Sequence, residues 1–145
     1  MSNLLSEIIG TWSFISWSYR EDDGQLHDYL GENSVGTLTY TSGGTMSVQI
    51  MKGDRKQFAS GELMDGTTEE IDEAFKTFFA YFGTYEEKEP GVLAHHIHGS
   101  NFPNWVGKTE ERGAEIRKDA LTLTAPGVLP GGEKTMFVVQ WERVP

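Results

Sequence analysis

Three of the chain's four histidines, His95, His96 and His98, fall within four positions of the stretch Leu-Ala-His-His-Ile-His-Gly-Ser-Asn-Phe-Pro-Asn-Trp-Val-Gly, residues 93–107. Imidazole is a metal ligand when neutral and titrates near physiological pH, so this spacing suits either a metal centre or acid/base chemistry. The direction of each ring decides between them. Residues 92–98 read as a strand, in which successive side chains point to opposite faces. Leu93, His95 and Ile97 then share one face, and Val92, Ala94, His96 and His98 share the other. The bulkier apolar pair flanks His95, which assigns His95 to the interior and the other two rings to the outside. His96 and His98, at i and i+2, have the geometry to share a metal, but a third ligand is needed. A carboxylate or His27 would serve, and no spacing specifies one. No metal and no cofactor is expected.

An interior His95 reads as a core histidine bonded to a tyrosine or a backbone group, or as a ligand anchor or general acid/base. The same alternation on the other strands supplies its neighbours. Leu38 with Tyr40, Met46 with Val48 and Ile50, Gly83 with Tyr85, Arg112 with Ala114 and Ile116, Leu121 with Leu123, and Phe137 with Val139 and Trp141 form the more apolar faces. They are assigned inward. The result is an apolar, aromatic cavity whose polar groups are His95, Arg112, Tyr40 and Tyr85, with Ser16 or Ser18 beside them. Such a lining suits a small amphiphile with an apolar body and an acidic or phenolic head. Tyr40, Met46, Val48, Tyr85, His95, Arg112, Phe137 and Trp141 are the expected ligand contacts, and His95, Tyr40, Tyr85 and Arg112 the candidates for any proton transfer. Burying the Arg112 guanidinium is costly without an anion. It is a ligand anchor, or it pairs with Glu110 or Glu87, or it sits at the rim.

Strands must position these groups, and the pattern supplies about eight, at residues 11–19, 36–41, 45–51, 83–87, 92–98, 108–116, 121–124 and 134–143. The first ends at the turn Asp22-Asp23-Gly24, and Ser42-Gly43-Gly44 joins the second and third as a hairpin. Thr67 with Glu70 forms a capping box that opens a helix expected over 68–82, with Ile71, Ala74, Phe75, Phe78 and Phe82 on one face and Gly83 as its stop. Leu4, Leu5, Ile8 and Ile9 follow helical spacing in a short N-terminal turn. Eight antiparallel strands close into an up-and-down barrel with room for one small ligand, and a two-sheet sandwich carries similar patterning. The first strand is apolar on both faces, with Trp12 and Phe14 on one and Ile15, Trp17 and Tyr19 on the other. Either the helix covers the outer face, or it caps the mouth with Phe79 and Tyr81 as a lid, or exposed aromatics make a homodimer face.

Composition narrows the partners. A single domain over residues 1–145 is expected, and its net charge of −10, from 22 acidic and 12 basic residues, repels nucleic acid and anionic membranes. Cysteine is absent, which removes disulfides, thiolate metal sites and thiol nucleophiles. The N-terminal stretch has no positive region and its apolar run is broken by Ser6 and Glu7, so a cytoplasmic protein is expected. No nucleophile elbow, phosphate-binding glycine loop or dinucleotide fingerprint is found.

Gly10-Thr11-Trp12 at the start of the first strand resembles the lipocalin and fatty-acid-binding-protein superfamily. The longer series is similar to the lipocalin-like domain family of small stand-alone proteins. It runs Gly-Thr-Trp-Ser-Phe-Ile-Ser-Trp (10–17), Gly-Thr-Leu-Thr-Tyr-Thr-Ser-Gly-Gly-Thr-Met-Ser-Val (36–48), Ala-Tyr-Phe-Gly-Thr-Tyr-Glu (80–86), His-His-Ile (95–97), Phe-Pro-Asn-Trp-Val-Gly (102–107) and Gln-Trp-Glu-Arg (140–143). The resemblance implies an all-β, eight-stranded calyx with one inserted helix, in which Trp12 sits at the closed end under Arg143. It also implies binding of a small hydrophobic or amphiphilic molecule in the barrel. Some barrels of this general kind assist isomerisations or cyclisations, so a cofactor-independent isomerase or cyclase using the same pocket is the alternative, and whether the protein is an enzyme is left open.

Overall fold

The hairpin expected at Ser42-Gly43-Gly44 joins β3 (Val35–Tyr40) to β4 (Thr45–Met51) and sets Tyr40 opposite Met46. Gly44 closes it with φ of 91°, a left-handed conformation that glycine adopts without a Cβ clash. From this pair the rest of the wall follows, in a computed structural model that describes residues 3–21 and 23–145. Asp22, in the expected first turn, lies outside the described residues. The other strands are β1 (Gly10–Arg20), β2 (Leu26–Asp28), β5 (Phe78–Glu89), β6 (Val92–Ser100), β7 (Thr109–Arg117), β8 (Ala120–Val128) and β9 (Lys134–Arg143). Neighbours from β3 to β9 pair antiparallel, while β1 pairs with β3 on one side and β9 on the other. That last pairing closes eight strands into a barrel, not a sandwich. The short β2 is an addition that pairs with the far end of β1 alone.

One end is sealed. Helix α1 (Leu4–Glu7) packs across it against β5 and β7, burying Leu4 and Ile8. Trp12 is fully buried there, and its indole N–H donates to the Ile8 carbonyl at 2.9 Å. The Arg143 guanidinium lies over the Trp12 ring, 4.3 Å from its centroid, and donates to the carbonyls of Ile9 and Glu7. The stack and the carbonyl bonds tie the last strand to the chain preceding the first.

Three local features differ from the pattern. The helix α2 (Thr68–Lys76) opens with the Thr67–Glu70 capping box as expected but ends at Lys76, and Phe78 to Phe82 begin β5 instead. Met51 pairs with Phe78 and Val48 with Tyr81, so aromatic residues with high strand preference are held by a partner far away in sequence. Helical spacing among those phenylalanines is overridden. The helix packs against β5, and none of residues 52–77 lines the barrel interior. It therefore neither covers β1 nor lids the cavity, and its Ile71 and Phe75 remain exposed beside Leu63 and Met64. Phe79 and Tyr81 belong to the wall itself.

In β1 the register slips between Phe14 and Ser16, leaving Ile15 as an extra, exposed residue. A bulge of this kind reverses the inside/outside parity of everything after it. Trp12 and Phe14 point inward before it, Trp17 points inward after it, and the doubly apolar strand needs no outer cover. β8 also runs further than its pattern suggests, through Pro126 to Val128. Its pairing with β7 ends at Thr124, so Pro126 has a partner only on the β9 side and its missing N–H costs nothing on the other.

The wall is pinned by a second irregularity between Phe82 and Gly83. A Cβ built at Gly83 would lie 1.9 Å from the His96 carbonyl oxygen, closer than any real contact. Gly83→Ala is expected to cost about 3 kcal/mol of unfolding free energy, measured by urea denaturation, since backbone must move to accept the methyl. A variant as stable as the parent would show that the β5–β6 approach is looser than this.

Candidate functional site

Above the sealed end the barrel encloses a cavity of about 360 Å³. Bulky residues fill the lower half, whereas the upper wall is an aromatic frame: Trp17 and Phe79 approach to 5.4 Å between ring centroids, and Phe79 and Trp105 to 5.4 Å edge to face. Leu38, Val48, Leu123, Phe137, Val139 and Trp141 add to the apolar lining. The cavity meets the surface at Tyr29, Phe102 and Val128, which line it and are exposed. Trp105 is delivered by the short 3-10 turn Pro103–Trp105, where Pro103 fixes the first residue's φ.

Three of the polar groups form one connected chain. His95 is completely buried, and each of its ring nitrogens has a tyrosine: Nε2 lies 2.8 Å from the Tyr40 hydroxyl and Nδ1 2.7 Å from the Tyr81 hydroxyl. Burial first, then Arg112 and His96, push the His95 imidazole down to about 3, so it is neutral at physiological pH. Burial likewise holds the Tyr40 phenol well above its ordinary range. It also raises Tyr81, against the pull of the nearby Arg112 charge. Arg112 lies over the Trp105 ring at 5.6 Å and donates to the Glu111 carbonyl at 3.0 Å. Among the described residues no ion pair joins it to Glu110, although both line the cavity. The guanidinium is thus held by an indole and a carbonyl, with no carboxylate to neutralise it in those contacts.

Of the residues singled out from sequence, Val48, Arg112, Phe137 and Trp141 line the cavity. Tyr40, Met46, Tyr85 and His95 point inward but sit in the packed half, off its wall. Tyr85 packs its ring 4.8 Å from that of Tyr40 and spends its hydroxyl on the Thr41 carbonyl. Ser16 bonds the Gln140 side chain at the barrel exterior. His96 bonds Thr109 at 2.8 Å and lies 3.7 Å from Glu86, while His98 is exposed. His27 is not near them in the sheet; it stands with Glu21 and Asp23, whose ligand-type atoms all lie within 4.8 Å of one another at an exposed turn. Trp17, Phe79, Tyr81 and Trp105 are among the lining residues the alternation did not assign to the site. The bulge hides the first and the helical spacing hides the next two.

No helix among the described residues is long and apolar enough to cross a membrane. The lipocalin-like domain family matches residues 9–144. Among proteins of known role, the chain is 32% identical over 109 residues to the 4'-hydroxy-3'-methoxypropiophenone carrier protein ppsC of Aspergillus oryzae (strain ATCC 42149 / RIB 40), an alignment covering 69% of this chain and 97% of that protein. No solved structure matches significantly.

Proposed function

The chain belongs to the lipocalin-like domain family, and from that premise we propose that it binds a small amphiphilic molecule, an oxygenated aromatic compound, inside the barrel. The cavity carries this conclusion: about 360 Å³ of space, walled by aromatic rings, with Arg112, Tyr29, Tyr81, Glu110 and Thr124 among its polar side chains. Flat rings stack edge to face on such walls, and a few polar groups fix orientation. The relative's named cargo, a hydroxylated and methoxylated aryl ketone, has this make-up, which supports the same class of ligand here. Sequestration in the cytoplasm, holding a poorly soluble molecule between the steps that make and use it, is the role we assign.

The test is direct. Trp17, Trp105 and Trp141 all line the cavity, so occupancy must change tryptophan emission. Titration with 4'-hydroxy-3'-methoxypropiophenone is expected to quench it saturably, with a dissociation constant of roughly 1–10 µM, a free energy of about −7 to −8 kcal/mol. Native mass spectrometry of protein from its own host should show an organic passenger. A flat titration together with an empty protein would end the binding hypothesis.

Tyr81 and Arg112 are also able to polarise a carbonyl, so a cofactor-independent isomerase or cyclase acting in the same pocket is a second reading. His95 reaches a ligand only through Tyr81 and would act as a positioning residue. Conversion of the recovered passenger on incubation would favour turnover, and its return unchanged would favour carriage.

A further inference from the structure

Tyr40 and Tyr81 bracket His95, and of the two it is Tyr81 that also stands on the cavity wall. Tyr40 is 1% exposed, and a buried hydroxyl proton needs an acceptor. The acceptor the structure gives it, among the described residues, is His95 Nε2. A neutral imidazole that accepts at Nε2 carries its proton on Nδ1, so Nδ1–H donates to the Tyr81 oxygen 2.7 Å away. The Tyr81 hydroxyl's own proton then has no acceptor among the described residues. Tyr81 stands on the cavity wall.

An anionic head would meet the Glu110 carboxylate on the same wall and the protein's net charge of −10. A neutral acceptor avoids both.

We propose that the polar end of the cavity is a donor site for a neutral carbonyl oxygen, which takes the Tyr81 hydroxyl proton, and that Tyr40 sets the direction of that proton from outside the cavity by holding His95 as the Nδ1–H tautomer. This deepens the cavity-binding proposal and rests on it.

A matched pair of probes separates the two. Propiophenone and propylbenzene share ring and chain and differ in the carbonyl. The wild-type protein binds propiophenone about tenfold more tightly, the ratio expected for one well-placed buried hydrogen bond. In Tyr81→Phe the ratio falls toward one. Tyr40→Phe removes the donor to Nε2, lets the imidazole proton move there, and lowers the ratio although residue 40 does not touch the probe. Nitrogen-15 spectra of the ligand-free wild type show Nδ1 protonated and Nε2 bare at His95, a readout that requires no variant to fold. Equal binding of the two probes to wild type, an unchanged ratio in Tyr81→Phe, or an Nε2–H tautomer overturns the donor site while leaving the cavity intact. Failure of both probes to bind overturns the cavity and the donor site together.

Discussion

Between pH 6.5 and pH 4.5 the protein is expected to lose about 2–3 kcal/mol of unfolding free energy, close to the limit of 1.4 kcal/mol per pH unit that one proton allows. The source is His95, whose imidazole falls from its ordinary 6.5 to about 3 in the fold, through burial first and then through Arg112 and His96. As pH falls below 6.5 the unfolded chain protonates this residue and the native protein does not. The unfolded state then binds more protons, so each step toward acid favours it. The contribution is complete above pH 6.5 and gone below about 3. Glu70, held below its ordinary range by the backbone N–H groups of Thr67 and Ala59, adds an acid-sensitive contribution of its own. That one begins only near the ordinary carboxylate range, which leaves the upper window to His95. Urea denaturation at pH 7, 6 and 5 measures the slope. His95→Gln should be less stable at pH 7 but nearly flat across the window. A wild-type profile as flat as the variant's would mean that His95 is solvated in the native state.

Trp12→Ala carries the other large effect. The ring is fully buried against Ile8, accepts the Arg143 guanidinium on its face and donates to a carbonyl through its indole N–H. Removing it leaves a cavity at the sealed end, strips the guanidinium of its platform and leaves the Ile8 carbonyl without its donor. A loss of about 4 kcal/mol is expected from equilibrium unfolding. Trp12→Phe keeps a ring under Arg143 and should lose about half as much, because the N–H bond goes and most of the packing stays. A cost below about 1 kcal/mol for the alanine variant would show that the sealed end relaxes around the hole.

Much of this was legible in the alternation of the strands. Leu93 and Ile97 flank His95 closely enough to send it inward, and the hairpin at Gly43-Gly44 follows from its glycines alone. The Trp12–Arg143 stack was reached through family resemblance, since nothing in spacing links residues 131 positions apart. Alternation reports which side of the wall a residue faces but not its height along the barrel axis. Tyr40, Met46, Tyr85 and His95 therefore look identical in sequence to Val48 and Arg112, yet they lie in the packed half and not at the cavity. The aromatic run from Phe78 to Phe82 satisfies a helical period as well as a strand, and its pairing with β4 decides the matter from outside the segment. The bulge at Ile15 depends on which β9 residue faces two β1 residues, which neither strand specifies by itself.

The pairing that closes the barrel also governs how it can form. Ser16 and Gln140 meet although they lie 124 positions apart, whereas β3 with β4, β5 with β6 and β8 with β9 are joined by short connections and can zip locally. Loop-closure entropy must be met before the β1–β9 contacts return anything, which places this fold among slow, high-contact-order folders. Until residues 134–143 arrive, β1 has an unpaired edge and Trp17 has no finished interior to enter. During synthesis that edge is the part of the chain most open to pairing with another molecule, and the rate at which the last strand docks sets how long it stays so.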